Sequence, residues 1–172
     1  SSAASDVYKR QAMLGFLAYR AIPGVEAVTE HSYARTFRLA GLAGHFQAFF
    51  EPCSHNIRVC VSYGETRHLD RIIERIRALF DVRADSAQID EFLVQDSQLA
   101  PMVRRFPGLR VPGCWSGFEV AVRAILGQQV TVKAASTLVA RVAEHYGEAY
   151  ECDVEGLNYT FPEAAQLVLA DL

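Results

Sequence analysis

The sequence predicts an α+β fold, an antiparallel sheet covered by helices and followed by the first helices of a helical unit. Three observations carry that expectation. Ile57, Val59, Val61 and Tyr63 alternate with Arg58, Cys60 and Ser62, the period of a strand with one apolar and one polar face. Soon after it, Leu69, Ile72, Ile73, Ile76 and Leu79 or Phe80 recur at three- and four-residue spacing, the period of a helix packed on one side. Residues 111–146, VPGCWSGFEVAVRAILGQQVTVKAASTLVARVAEHY, read as a tight turn and two amphipathic helices joined by a polar elbow.

The elements run in order along the chain. Met13, Phe16, Leu17 and Ala21 give residues 11–21 a helical face, and Ile22-Pro23-Gly24 stops it. Residues 34–39 and 45–50 form two strands, with Gly41 and Gly44 supplying the freedom of the turn between them. Thr66 has the chemistry of an N-cap for the helix over 69–80. Arg67, Arg71, Arg75 and Arg77 fall mostly off its apolar face; a solvated surface and a phosphate-facing stripe both fit them. Residues 84–106 form short helical pieces anchored by Ile89, Phe92, Leu93, Leu99, Met102, Val103 and Phe106, and Pro107-Gly108 and Pro112-Gly113 are consecutive turns. The division is an α+β domain over 11–83, a connecting segment over 84–112, and the beginning of a helical domain over 113–172. A last helix comes after Pro162, a residue suited to a first helical turn.

Composition narrows the function classes. With 51% hydrophobic residues, ten Phe and seven Tyr, the 172-residue chain can supply a real core, and 22% charged residues is ordinary for a folded protein. No apolar run reaches the ~20 residues that span a membrane, and no basic segment precedes an apolar one at the start. Cys53, Cys60, Cys114 and Cys152 form no framework and read as reduced cytosolic thiols. Cys53, His55 and Cys60 lie close together, but a zinc site usually brings two tight ligand pairs; no metal is expected. A net charge of −3 argues against non-specific nucleic-acid binding by the chain as a whole, though a local basic surface could still meet phosphates.

The elbow points to chemistry. Ser116 and Glu119 make an S-x-x-E capping box before Phe118, Val122, Ile125 and Leu126. Gly127 interrupts that helix, Gln128 and Gln129 come next, and Thr131 caps the second helix, whose face is Val132, Ala135, Leu138, Val142 and Tyr146. Two long amides in a turn each present a donor and an acceptor. By themselves they fit a solvent-facing turn first; an element that reads base edges or enters a stacked duplex is the second reading.

Four stretches carry a resemblance: MLGFLAYRA at 13–21, SYARTFRLAG at 32–41, FPGLRVPGCWSGFEVAVRAILGQQVTVKAA at 106–135, and the subsequent VARVAEHYG. In content and order they resemble the bacterial DNA-3-methyladenine glycosylase II family over about residues 11–170, in its amino-terminal portion. The resemblance implies a three-part enzyme of the helix-hairpin-helix superfamily, an α+β domain and two helical domains around a cleft, which excises alkylated bases from DNA. The family's phosphate-binding hairpin and the aspartate after it have no match here. Asp171 and Asp153 stand in the wrong contexts, so no catalytic residue is carried over. Phe16 matches a phenylalanine lining the cleft for the flipped base, and Arg20, one turn on, borders the same cleft or makes a structural salt bridge. Gln128 matches a glutamine at the minor-groove face, and Gln129 stands where relatives often place a leucine wedge.

The reaction implied for the parent is hydrolysis of an N-glycosidic bond on an extruded nucleotide. The aromatic cleft favours the cationic base through its π-faces, and no metal or organic cofactor is required. The implied partner is damaged double-stranded DNA, bound through the complete parent. A monomer, no membrane and a cytoplasmic location complete the expectation. Two alternatives stay open: part of an oxidised-guanine glycosylase, and a non-catalytic DNA-binding or scaffold domain of an alkylation-response fusion protein.

Overall fold

The computed structural model describes residues 2–51 and 56–168, side chains being described from residue 10 onward. Helix α1 (Ser2–Arg20) leads into a four-stranded antiparallel sheet of order β1-β2-β3-β4: β1 Glu26–Val28, β2 Ser32–Leu39, β3 Leu42–Phe50, β4 Ile57–Tyr63. Helices α2 (Leu69–Leu79), α3 (Ser86–Leu93) and α4 (Ala100–Arg105) come next, then α5 (Gly117–Leu126), α6 (Val132–Tyr146) and α7 (Ala164–Val168). The α+β expectation holds. Ile57, Val59, Val61 and Tyr63 pack on the core, while Arg58, Cys60 and Ser62 are exposed.

The core lies between the sheet, α1 and α2. Met13, Leu14 and Leu17 meet Tyr33, Phe37, Phe46 and Phe50 of the strands and Ile72, Ile76, Leu79 and Phe80 of α2. Tyr33, Phe46 and Phe50 each set an edge or a tilted face toward a neighbouring ring; Phe50 meets Phe80 at 5.3 Å between centroids. Such contacts contribute beyond the area they bury. A second cluster joins Ile22 and Val25 to Val139, Ala143 and Phe161, flanked by Phe118, Val122 and Leu126.

Two local expectations change. Gly44 lies inside β3, not in the turn, and is needed for close approach: a Cβ there would meet the Ser62 carbonyl oxygen at 2.7 Å and the Tyr63 ring at 2.9 Å. The turn is the two-residue Ala40-Gly41, with φ of 51° and 82°. Both residues take the left-handed form that matches strand twist, a form that penalises the Cβ of Ala40. Ala40→Asn should therefore raise stability by about 1 kcal/mol, measured by urea unfolding; a lower midpoint would show that the side chain at 40 carries another contact. Thr66 does not cap α2. It opens a short 3₁₀ turn, Thr66–His68, and α2 begins from His68 with no side-chain cap.

Strand β2 does not share the one-faced pattern of β4, because both of its faces are covered. Tyr33, Phe37 and Leu39 enter the core. Behind them, the chain beyond α6 returns across the sheet: the Thr36 hydroxyl donates to the Tyr159 carbonyl at 2.6 Å, and the Asn158 and Tyr159 amides both donate to the Gly24 carbonyl. The helix expected after Pro162 is α7.

Candidate functional site: an aromatic cleft and an exposed glutamine turn

Helix α1 brings Phe16 and Arg20 one turn apart on its outward side. Phe16 is 44% exposed, and the Arg20 guanidinium carbon lies 5.4 Å from its ring centroid. Opposite stand Pro112–Trp115 and the α5 residues Glu119, Val120 and Arg123, enclosing with them a cleft of about 410 Å³. That volume is within the range of small-ligand sites. The two cleft residues expected from sequence are thus together.

The cleft floor is an ion cluster. Arg35, 1% exposed, donates from Nη2 to Glu119 Oε2 at 2.7 Å and faces Glu26 Oε1 at 3.5 Å. Glu26 also accepts from the Tyr33 hydroxyl at 2.5 Å and from the Ile22 amide at 2.8 Å. Arg123 completes the set, its Nη1 3.4 Å from Glu26 Oε2 and 3.6 Å from Glu119 Oε1. The sealed Arg35 and the partly exposed Arg123 thereby balance two buried carboxylates, which is the condition for keeping charge buried. Burial works against the charge on Arg35, but Glu119, Tyr33 and Glu26 outweigh it and hold the guanidinium charged above its ordinary range. Burial and then the Glu26 charge push Tyr33 well above the usual tyrosine value, so it remains a donor. With their oxygens engaged by arginine, tyrosine and backbone donors, these two carboxylates can fix geometry; neither is free to attack or to move a proton.

Sequence reasoning missed most of this floor. Ser116 does cap α5, accepting from the Glu119 amide at 3.1 Å, but the Glu119 carboxylate does not return to close a capping box. It turns to Arg35, 84 residues away in sequence. Trp115 lies with Phe37 at 4.8 Å between centroids, and the Arg35 and Arg75 guanidinium carbons sit 5.5 and 5.3 Å from its ring. Arg75 is therefore half-buried against the cleft wall and not part of a surface stripe. Arg67 and Arg77 pair with Glu65 and Glu74, which leaves the solvated-face reading for them.

The glutamine pair is outside the cleft lining, at the far end of α5. Helix α5 closes with the Gly127 amide on the Arg123 carbonyl, Thr131 caps α6 by accepting from the Ala134 amide, and Gln128 and Gln129 are exposed between them. Gln129 takes a left-handed backbone, φ 60°. Among the described residues no cluster of three or more His, Cys, Asp or Glu side chains could hold a metal ion, and no helix is long and apolar enough to cross a membrane. Cys53, His55 and Asp171 lie outside the described residues.

The sequence matches the AlkA N-terminal domain family over residues 5–116. The chain belongs to the AlkA family. It is 36% identical over 161 residues to a probable bifunctional transcriptional activator/DNA repair enzyme AlkA of Mycobacterium tuberculosis, covering 94% of this chain and 32% of the relative. It is 35% identical over 159 residues to DNA-3-methyladenine glycosylase 2 of Escherichia coli, covering 92% of this chain and 54% of the relative. This AlkA-family chain thus spans between a third and about half the length of the curated relatives it matches. In fold it is similar to a 3-methyladenine DNA glycosylase from Archaeoglobus fulgidus, with a TM-score of 0.76 at 22% identity over 92% of this chain and 54% of that one. An 8-oxoguanine glycosylase/lyase from Clostridium acetobutylicum, in complex with double-stranded DNA, shares the fold with a TM-score of 0.57 at 14% identity, over 87% of this chain and 58% of that one.

Proposed function

We propose that this chain forms one wall of the base cleft and the DNA-contacting junction of a glycosylase that hydrolyses the N-glycosidic bond of alkylated bases such as 3-methyladenine. The observation that carries the reading is a single helix, α5, whose first turns border an aromatic cleft and whose end presents Gln128 and Gln129 to solvent. A base extruded from a duplex needs both a π-surface to receive it and a group to occupy the gap it leaves. Phe16 supplies the first and Gln129 the second. A cationic, alkylated base gains more from the ring than a neutral one does. The catalytic carboxylate belongs to another part of the parent, since Glu26 and Glu119 are already engaged.

The test is release of 3-methyladenine from alkylated DNA. The parent should release it, Phe16→Ala in the parent should release it about tenfold more slowly, and the 172-residue chain alone should release none. A parent without activity on alkylated DNA would sink the proposal. The mycobacterial relative's name joins repair to transcriptional activation, which favours a second reading, a fusion with a regulatory module; promoter binding that rises after alkylation would support it.

A further inference from the structure

Arg123 is placed differently from the other arginine of the cluster. Arg35 is sealed inside, whereas the Arg123 side chain is 21% exposed and faces the cleft. Its Nη2 donates to the carbonyl of Arg20, the last residue of α1. Its Nη1 lies against Glu26 of β1 and Glu119 of its own helix. Along the backbone, its carbonyl accepts the Gly127 amide that closes α5 before the glutamine turn. One guanidinium therefore holds the end of the helix that carries Phe16, one turn back from Arg20, and belongs to the helix that delivers Gln128 and Gln129.

We infer that Arg123 is a positioning residue that sets the separation between the Phe16 wall and the glutamine turn, so that a base leaving the duplex at the turn arrives against the ring. This rests on the glycosylase reading above. The physical case lies in the kind of bonds made. The helix-terminal carbonyl of Arg20 has no successor in α1 to satisfy it, and a cation is the favoured partner there. The carboxylate contacts, at 3.4 and 3.6 Å, orient the guanidinium plane without locking it as Arg35 is locked. Loss of Arg123 would thus remove the polar tie between the end of α1 and α5 and let that end shift, while Met13, Leu14 and Leu17 still hold α1 on the core and Arg35 still ties β2 to Glu119. A displacement of about 1 Å at a reacting centre can cost on the order of a hundredfold in rate.

The experiment uses the full-length parent with Arg123→Ala and Arg123→Lys. Single-turnover release of 3-methyladenine should fall ten- to a hundredfold in Arg123→Ala. Arg123→Lys keeps a cation for the Arg20 carbonyl and should lose less. Affinity for undamaged duplex should stay within about threefold, because Arg123 faces the cleft and not the glutamine turn. Added guanidinium ion should restore part of the Arg123→Ala rate, a rescue that a merely loosened fold would not give. Hydrogen exchange over residues 16–26 should speed up in Arg123→Ala whether or not the parent is a glycosylase. Unchanged exchange there would overturn the clamp. Unchanged release, or release restored when Ala40→Asn restores stability, would overturn its role in positioning. A wild-type parent that releases no base would sink the glycosylase reading instead and the positioning role with it, leaving exchange to decide only whether the clamp exists.

Discussion

Arg35→Met is expected to lower folding stability by about 3–5 kcal/mol. The reason is what stays behind. Glu26 and Glu119 would remain buried, with only Arg123 at 3.4 and 3.6 Å to offset two negative charges. A domain of this size has ~5–15 kcal/mol in total, so the variant should unfold at much lower urea. Glu119→Leu alone should also be costly, because it leaves the Arg35 charge to the longer Glu26 contact at 3.5 Å. The double variant should recover part of either loss, since an apolar pair of similar volume replaces a buried ion pair at little cost. Urea unfolding of the four proteins closes the cycle. A loss below about 1 kcal/mol for Arg35→Met would mean that the cluster is hydrated and that the cleft floor is far more open than the geometry indicates.

That cluster was the part of the molecule least legible in the sequence, and the cause is physical. Alternation at 57–63 was readable because β4 has one solvated face. Strand β2 is covered on both sides, so its residues need not alternate, and Arg35 sits in phase with Tyr33 and Phe37 like a core residue. The one available signal was that phase: a charged residue in the apolar register of SYARTFRL demands a buried partner. Strand β1, of three residues, is too short to show a period, yet it delivers Glu26, opposite Arg35 in the ladder. Glu119 was readable only locally, as the fourth residue of a capping box, because nothing in a local pattern reports a partner on another strand. The turn of Gln128 and Gln129 was readable for the converse reason. Capping residues and a helix-ending glycine are local signals, and the turn they predicted is the turn that forms. Phe16 and Arg20 entered through family resemblance alone; helical period by itself would have put Phe16 in the core with Met13 and Leu17.

The other large effect is expected at Gln129 in the complete parent. Gln129→Ala should weaken binding to an abasic-site duplex by more than tenfold and leave binding to undamaged duplex nearly unchanged. A side chain that fills the gap compensates unstacking only once a base has left, and that unstacking costs about a few kcal/mol. Gln129→Leu should keep more of the preference than Gln129→Ala, because leucine restores volume although it cannot hydrogen-bond the orphaned base. The backbone makes this comparison clean. Residue 129 has φ 60°, a conformation that costs a residue with a Cβ about 1–2 kcal/mol. Glutamine, alanine and leucine all bear that cost, so the differences among them report the side chain. Glycine would relax the turn and remove the wedge together, and would confound the two. The titrations need one fixed salt concentration, since phosphate contacts change affinity steeply with salt. Equal affinity of wild type and Gln129→Ala for the abasic duplex would remove Gln129 from the DNA interface and leave it a strained surface residue.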